Sequence, residues 1–283
     1  MSNLVTLKSE YRCFGGTVAY YTHQSQCCNS PMNFAVYLPP QTATQKVPVL
    51  YYLSGLTCTE ENFTVKAGAQ RYAAEYGIIL VAPDTSPRQT GIPEEDDTWD
   101  IGSGAGFYVN ATVNPWKKHY HMYDYVVHEL PELITKVFPV KAEKQSIFGH
   151  SMGGHGALIC ALKNPDKYCS VSAFAPITAP MKCPWGQKAF KTYLGDDSSI
   201  YSHYDASELV RKHPLKYPIL IDQGTADQFY EQQQLLPEIF QQACQQSGQE
   251  LILRFQEGYD HSYFMIASFM ADHIRFHAQV LGD

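Results

Sequence analysis

Short apolar runs alternate with amphipathic stretches along the whole chain, and this alternation limits the fold more than any other feature. Several runs are hydrophobic at consecutive positions, as expected of strands that are buried on both faces of a mainly parallel sheet. The runs that predict strands are residues 33–38, 49–53, 78–82, 146–148, 171–174, 218–222 and 251–255. The stretches between them predict helices near residues 64–76, 122–138, 153–163, 231–247 and 263–281. The pattern therefore predicts an α/β fold with a mainly parallel central sheet and helices on both faces.

The chain shows no sign of a division into two domains. Its 283 residues would fit two domains of roughly 150 residues, and they also fit one large α/β domain. No composition shift, internal repeat or Pro/Gly/Ser-rich linker interrupts the alternation. We therefore expect a single domain over residues 1–283. The long connection over residues 83–121 is of a kind that is usually functional or partly structured.

The net charge and hydropathy exclude several functional classes. With 21 basic and 28 acidic residues the formal net charge is −7, and hydrophobic residues make up 45% of the chain. This composition predicts a folded, soluble chain rather than a disordered one. Because there is no basic stripe, we expect neither nucleic acid nor an anionic membrane surface as a partner. No window approaches the run of about 18 apolar residues that a membrane-spanning helix requires.

Eight cysteines are scattered along the chain, at positions 13, 27, 28, 58, 160, 169, 183 and 244. No CxxC pair connects them, and their spacing predicts no metal site. Four disulfides in a secreted protein are one interpretation, but residues 1–10 lack the basic segment, apolar core and cleavage site of a signal peptide. We therefore expect a cytoplasmic protein with reduced thiols, most of them buried as small apolar side chains.

The strongest local motif is the G-x-S-x-G sequence of residues 149–153. It follows the predicted strand 146–148 and precedes a stretch that favours a helix, which is the context of a nucleophile elbow. The serine of such an elbow has a strained backbone, and the flanking glycines let the strand and helix pack closely. The helix N-terminus also directs N–H groups at developing negative charge. Ser151 is therefore the candidate nucleophile, and a glycine turn with an incidental serine is the alternative.

A later loop supplies a candidate acid. In an α/β-hydrolase the triad follows the chain order serine, acid, histidine. Asp227 lies beyond the predicted strand 218–222, and catalytic groups collect beyond the carboxyl ends of strands in open α/β sheets. Asp222 is its competitor, but it belongs to the strand itself and is expected to point into a face of the sheet. Asp227 is therefore favoured.

His261 is the candidate base. It follows the predicted strand 251–255 and precedes the last helix, so it lies in another loop at the end of a strand. His150 and His155 flank the nucleophile and are too close to it along the chain to act as the late base of the triad. The remaining histidines fit less well.

Two pairs of histidines have other interpretations. His273 and His277 have the i,i+4 spacing of two zinc ligands, but no third ligand or glutamate accompanies them. A solvated helix face is therefore favoured for this pair. His119 and His121 are expected to be surface polar residues of a loop.

An oxyanion hole requires two backbone N–H groups that point at the same position. One is expected from Met152, the residue after the nucleophile. The predicted strand 49–53 runs into Gly55, which permits a turn that exposes the N–H of Leu56. A simple turn at the end of a strand is the alternative. Losing one such donor typically costs roughly 3–4 kcal/mol of transition-state stabilisation.

With these residues in place, the sequence resembles the S-formylglutathione hydrolase (esterase D) family. The resemblance extends well beyond the elbow and follows the family's order along nearly the whole chain. No catalytic position departs from the family's pattern. The similar blocks are residues 53–59, 82–88, 104–108, 148–164, 172–177, 183–186, 220–224 and 257–263.

The resemblance implies a serine hydrolase with the α/β-hydrolase fold that cleaves S-formylglutathione to formate and glutathione. It also implies a cytosolic enzyme that needs no cofactor and is often a homodimer. The family's nucleophile, acid and base fall on Ser151, Asp227 and His261, and its oxyanion donors fall on Leu56 and Met152. A broad-specificity short-chain carboxylesterase is the main alternative. An acyltransferase and a non-catalytic binding protein on the same fold are further ones, and the intact triad argues against the latter.

Two more residues match positions near the family's site. Cys58 matches a cysteine beside the active site that is linked to sensitivity to thiol reagents and is not the nucleophile; a buried apolar side chain is the alternative. Trp185 falls in a segment over the site and is a candidate for the substrate pocket, or equally a core aromatic.

The implied substrate raises an electrostatic problem. Glutathione carries two carboxylates and one ammonium, so the substrate and the chain are both anionic. Bulk electrostatic steering therefore cannot drive binding, and local donors are needed. Lys182, Lys188 and Lys191 surround Trp185 in the sequence and are candidate donors, with a solvated lysine face as the alternative.

Overall fold

The computed structural model describes residues 4–282 and builds them around one sheet of nine strands. Residues 1–3 and Asp283 lie outside the described residues. The localisation prediction rests in part on residues 1–3. In chain order the strands are β1 (Thr6–Cys13), β2 (Gly16–Ser25), β3 (Ser30–Leu38), β4 (Val47–Leu53), β5 (Ile79–Pro83), β6 (Val140–His150), β7 (Val171–Phe174), β8 (Ile219–Gly224) and β9 (Leu251–Gln256). They lie in the order β1-β2-β3-β5-β4-β6-β7-β8-β9.

The sheet is mainly parallel, as predicted. From β5 through β4, β6, β7 and β8 to β9, each neighbouring pair is parallel. The first three strands pair antiparallel and join the parallel part through β3 and β5. Parallel strands require a crossover between them, and helices fill these connections. The α/β class is therefore confirmed.

Ten α-helical segments occur among the described residues. They are α1 (Glu60–Lys66), α2 (Ala69–Tyr76), α3 (Met122–Asp124), α4 (Leu130–Val137), α5 (Met152–Lys163), α6 (Pro184–Leu194), α7 (Ala206–Lys212), α8 (Gln228–Glu231), α9 (Pro237–Ser247) and α10 (Tyr263–Leu281). A π-helical turn, Tyr125–Glu129, joins α3 to α4. No helix of the described part of the chain is long and apolar enough to cross a membrane.

The two faces of the sheet carry different helices. The Ser172 side chain of β7 forms hydrogen bonds with side chains of α10. Ala173, which follows Ser172 in β7, faces α5 instead, since a Cβ on Gly154 of α5 would lie 3.3 Å from the Ala173 Cβ. Because successive residues of a strand point to opposite faces, α5 and α10 cover the sheet from opposite sides. This arrangement confirms the prediction of helices on both faces.

The antiparallel edge was not predicted from the sequence. Most residues of β1 are exposed, and β2 mixes buried residues with partly exposed ones. Neither strand therefore has the consecutive apolar run that marks the central strands. Two helices, α6 and α7, were missed as well, and the helix predicted over residues 64–76 is divided into α1 and α2. Gly68, between them, has φ +66°, a conformation that ends the first helix.

The expected solvated face of α10 is wrong. His273 and His277 are both fully buried. His273 Nδ1 and His277 Nε2 each lie 2.8 Å from Ser172 Oγ. His277 Nδ1 lies 2.7 Å from Ser170 Oγ, and His273 Nε2 lies 3.0 Å from Asp222 Oδ2. The pair meets polar side chains of distant strands, and residues 4–282 contain no cluster of three or more His, Cys, Asp or Glu suited to a metal ion.

The surface prediction is also wrong for His119. Its side chain is buried, and Nδ1 lies 3.0 Å from the carbonyl oxygen of Cys28. His121 is partly exposed, and its Nε2 lies 2.6 Å from the carbonyl oxygen of Lys117.

All eight cysteines are unpaired. Cys28, Cys160, Cys183 and Cys244 are buried, in agreement with the expected apolar role. The other four are partly exposed.

Asp222 points into a face of the sheet, as expected, and is an anchor for β9 and α10. Arg254 donates two hydrogen bonds of 2.6 Å to its carboxylate, and the Gln256 amide donates one of 2.9 Å. Burial raises the pKa of this carboxyl, but the hydrogen bonds from His273 and Arg254 outweigh burial and lower the pKa to about 2.

We expect Asp222→Ala to lower the free energy of unfolding by about 1–3 kcal/mol, because it leaves the buried His273 and the partly exposed Arg254 without their shared acceptor. Urea titration at neutral pH measures this change. Since the folded pKa of Asp222 is depressed, its contribution is present above the unfolded pKa of about 3.9 and is lost as the pH falls toward the folded value. Asp272→Ala, which removes the exposed partner of Arg254, is the control with a small effect. Equal stability of Asp222→Ala and wild type would contradict this account.

Candidate active site

Ser151 lies on a sharp turn between β6 and α5. Its backbone has φ 58° and ψ −120°, a strained conformation for a residue with a side chain. A Cβ on Gly149 would lie 2.3 Å from the carbonyl oxygen of Gly153, and a Cβ on Gly153 would lie 1.9 Å from that of Leu53. Both positions therefore admit only glycine, as expected for a nucleophile elbow. The Ser151 N–H donates to the carbonyl of Phe174 at 3.0 Å and fixes the turn to β7.

The candidate acid and base lie at the carboxyl ends of β8 and β9. Asp227 follows β8 and is buried, and His261 lies between β9 and α10. His261 Nδ1 lies 2.5 Å from Asp227 Oδ2. Because a carboxylate can only accept, Nδ1 carries the proton, and Nε2 is left with a lone pair that can take a proton from a nucleophile.

Asp227 is itself held by three further donors. The N–H groups of Phe229 and Tyr230 bond to Oδ1 at 2.8 and 3.3 Å, and the Gln223 amide bonds to Oδ2 at 3.2 Å. These bonds fix the orientation of the carboxylate, and each of its two oxygens accepts at least one of them. The competitor, Asp222, is occupied by Arg254 and His273 and does not contact His261.

The turn after β4 approaches the nucleophile closely. A Cβ on Gly55 would lie 3.1 Å from the Cβ of Ser151. Within residues 4–282 the N–H groups of Leu56 and Met152 have no hydrogen-bond partner. The Thr57 N–H donates to the carbonyl of Gly104 at 2.9 Å, which ties this turn to the long connection over residues 83–121. The geometry is compatible with the predicted oxyanion hole.

A cavity of about 170 Å³ contains most of the predicted site residues. Its lining comprises Gly55, Leu56, Thr57, Cys58, Trp99, His150, Ser151, Trp185, Phe229 and His261. Trp185 is only 8% exposed, so this side chain is both a core aromatic and a wall of the cavity. Met152 and Asp227 lie behind the lining.

Four residues of this lining were given no site role from the sequence, namely Thr57, Trp99, His150 and Phe229. Trp99 lies in the long connection that was expected to be functional or partly structured, which is the one signal that could have pointed to it. Phe229 follows Asp227 by two residues, and its ring meets that of His261 edge-on at 4.8 Å. These contacts depend on tertiary structure, so no local pattern could predict them.

His150 was set aside because it neighbours Ser151, yet its ring centroid lies 4.4 Å from that of His261. Both of its ring nitrogens are buried without a hydrogen-bond partner in the described part of the chain. Burial, together with repulsion from His261, holds its pKa well below the usual range. The candidate base, His261, therefore packs against a neutral imidazole.

Comparisons with known proteins identify the family. Residues 25–276 match a family model described as "Putative esterase". The chain is 58% identical to the S-formylglutathione hydrolase of Mus musculus over 97% of this chain and 98% of the mouse protein. It is 54% identical to that of Paracoccus denitrificans, over 97% of both chains. The chain belongs to the S-formylglutathione hydrolase family of esterases.

The solved structures agree with this assignment. The fold superposes on the structure of an S-formylglutathione hydrolase from Agrobacterium tumefaciens with a TM-score of 0.95 and 47% identity, covering 98% of this chain and 99% of the other. The resemblance stated from the sequence is confirmed, and so is the α/β-hydrolase fold. The chain is a hydrolase, while the roles of its individual site residues stay predictions.

Cys58 lies in the cavity wall on a well-anchored turn. Its carbonyl oxygen accepts from Thr85 Oγ1 at 2.5 Å and from Arg88 at 3.2 Å, and Arg88 forms two bonds of 2.8 and 2.9 Å to Asp84. Burial raises the pKa of the Cys58 thiol, although Tyr263 and Lys66 oppose this shift. The thiol is therefore protonated at neutral pH and is a poor nucleophile.

None of the three lysines proposed as substrate donors lines the cavity. Lys188 is paired with Asp100 at 2.6 Å, and Lys191 lies 3.9 Å from Asp196. Lys182 is exposed. Lys188 is thus already partnered, whereas the contact of Lys191 is exposed and weak.

We expect the rate of iodoacetamide alkylation at Cys58 to rise about tenfold per pH unit through pH 9, because only the thiolate reacts and the folded pKa is raised. Peptide mass spectrometry follows this single thiol, and the same peptide in urea-unfolded protein is the control. A plateau of the rate below pH 8 would show a depressed pKa and contradict the prediction.

Proposed function

We propose that the chain hydrolyses the thioester S-formylglutathione to formate and glutathione, with Ser151 as nucleophile, His261 as general base and Asp227 as the residue that orients the base. The hydrogen bond between His261 and the buried Asp227, at the edge of the cavity that contains Ser151, carries this proposal. The printed names of relatives that are more than half identical to this chain support the choice of substrate.

Acylation begins with attack of Ser151 Oγ on the formyl carbon while His261 Nε2 takes the hydroxyl proton. The carbonyl oxygen becomes an oxyanion that accepts from the N–H groups of Leu56 and Met152. When the intermediate collapses, the C–S bond breaks and glutathione leaves as a thiolate, which then takes from His261 Nε2 the proton that came from Ser151 and so restores the neutral base. A thiolate is a better leaving group than an alkoxide because its conjugate acid is stronger, so this step depends less on proton donation.

Deacylation uses the same residues with water as the nucleophile. His261 takes a proton from water as its oxygen attacks the formyl carbon, and the same N–H groups hold the second oxyanion. The bond to Ser151 Oγ then breaks, His261 returns the proton to that oxygen, and the product leaves as formic acid, which loses its proton to solvent and becomes formate. The cycle needs no cofactor.

The small cavity favours a small acyl group. A volume of about 170 Å³ with walls of Trp185 and Phe229 leaves little space beside the serine. A formyl group has no carbon substituent, and each misfitting methylene of a larger acyl group is expected to cost roughly 1–3 kcal/mol in kcat/KM.

We further propose that the chain forms one α/β-hydrolase domain, acts in the cytoplasm and assembles as a homodimer. The continuous nine-stranded sheet supports the first point, and the eight unpaired cysteines support the second. The resemblance to the family supports the third, and sedimentation velocity measures it.

We expect Asp227→Asn to lower kcat by about 10⁴-fold, because the amide favours the wrong tautomer of His261. Asp222→Asn is the matched control, since it changes a buried aspartate five positions away that does not contact the base. Steady-state assays of variants whose folding is verified by circular dichroism compare the two. A larger loss of activity for folded Asp222→Asn than for Asp227→Asn would mean that the acid is misassigned.

We expect Ser151→Ala to lower kcat by roughly 10⁶-fold without unfolding the protein. Cys58→Ser should keep most of the activity, because the thiol is protonated and outside the proposed mechanism. Equal loss of activity in the two variants would identify Cys58 as an alternative nucleophile.

The substrate assignment predicts a higher kcat/KM for S-formylglutathione than for S-acetylglutathione or short aryl esters. The comparison uses one enzyme preparation and the Ser151→Ala variant as the blank. A preference for aryl esters would instead favour a broad short-chain carboxylesterase.

A further inference from the structure

The cavity beside Ser151 is too small for the whole proposed substrate. Sites that enclose drug-sized ligands are typically about 300–1,000 Å³, whereas this cavity measures about 170 Å³. The formyl group and the sulfur fit inside, but a tripeptide attached to that sulfur does not. The glutathione half therefore extends beyond this cavity, across its rim or into the adjoining cavity of about 360 Å³ that Phe229 and His261 also line.

Trp99 is the aromatic residue that this rim offers to solvent. Its side chain is 53% exposed, whereas Trp185 beside it is 8% exposed. Among the aromatic side chains of the lining within residues 4–282, Trp99 alone has large exposed apolar surface. An exposed indole is an unusual feature that often marks an interaction site when it adjoins a binding cavity.

The ring of Trp99 is held in place before substrate arrives. It meets Trp185 edge-on with centroids 5.5 Å apart and an interplanar angle of 87°. Trp185 contacts Phe229 at 4.8 Å, and Phe229 contacts His261 at the same distance. Trp99, Trp185 and Phe229 thus form an aromatic row that leads from solvent to the proposed base.

An ion pair anchors the same segment. Asp100, the next residue, holds Lys188 at 2.6 Å, and Lys188 lies on α6, the helix that also carries Trp185. This lysine is therefore not free to bind a substrate carboxylate. Trp99 itself offers a substrate apolar and stacking contacts and no charge.

We propose that Trp99 is a specificity-determining residue that binds the peptide half of the glutathione leaving group against its exposed indole face. This inference rests on the proposed function and deepens it. Peptide planes and methylene groups pack well on an indole, and such contact removes apolar surface from water. A substrate without the tripeptide gains nothing from Trp99.

The test compares two formyl thioesters that differ only in the leaving group, S-formylglutathione and S-ethyl thioformate. We expect Trp99→Ala to lower kcat/KM for S-formylglutathione about tenfold, mainly through KM, and to change that for S-ethyl thioformate less than about twofold. Trp99→Phe should restore most of the loss. Tyr11→Ala, which removes an aromatic that is 59% exposed on the distant edge strand β1, is the matched control.

A second measurement is independent of S-formylglutathione turnover. The inhibition constant of S-methylglutathione, measured against hydrolysis of S-ethyl thioformate, should rise about tenfold in Trp99→Ala. If S-methylglutathione inhibits wild type but kcat/KM is no higher for S-formylglutathione than for the other esters, the proposed function is refuted and the contact between Trp99 and glutathione still stands.

Three results would overturn the inference. Equal losses for both thioesters would mean that Trp99 only supports Trp185. Unchanged kinetics and an unchanged inhibition constant would mean that Trp99 does not touch the leaving group. No inhibition of wild type by S-methylglutathione would mean that the rim does not bind the peptide.

Discussion

The close contact between the end of β4 and the turn after β6 is the constraint on which the rest of the site depends. The two strands are parallel neighbours, and their register pairs Leu53 with Gly149. A side chain at Gly149 or Gly153 would collide with backbone, so only glycines permit this approach. The same contact brings the turn that contains Leu56 beside Ser151, and the N–H groups of Leu56 and Met152 have no partner in the described residues. Position of the nucleophile and position of the proposed oxyanion hole therefore have one physical cause.

Two buried aspartates near the end of β8 illustrate how position along a strand divides structural from chemical tasks. Asp222 lies within the strand, and Arg254, Gln256 and His273 satisfy its carboxylate from β9 and α10. Asp227 lies beyond the strand and accepts a hydrogen bond of 2.5 Å from His261 Nδ1. The first aspartate helps to fix α10, whose first residue follows the base by two positions. The structural network thus supports the geometry of the proposed catalytic pair, Asp227 and His261, without sharing its atoms.

The sequence predicted those features whose causes are local. The bounds of β7 and α10 agree with the predicted 171–174 and 263–281, and the elbow follows from glycine spacing. The strands β1 and β2 were not predicted because neither has a consecutive apolar run. The burial of His273 and His277 on α10 was not predicted from the sequence, because their partners are two serines and an aspartate that lie far away along the chain. The position of Trp99 at the cavity was not predicted for the same reason, since only the folded chain brings Trp99 there.

The central claim is that Ser151 forms a covalent formyl-enzyme with the help of His261 and Asp227. The most direct measurement is acid quenching during turnover of S-formylglutathione that carries a ¹³C-labelled formyl group, followed by peptide mass spectrometry. The account predicts labelled formyl on the peptide that contains Ser151, and its absence in Ser151→Ala. Label on the peptide of Cys58, or turnover by Ser151→Ala at the wild-type rate, would contradict the account.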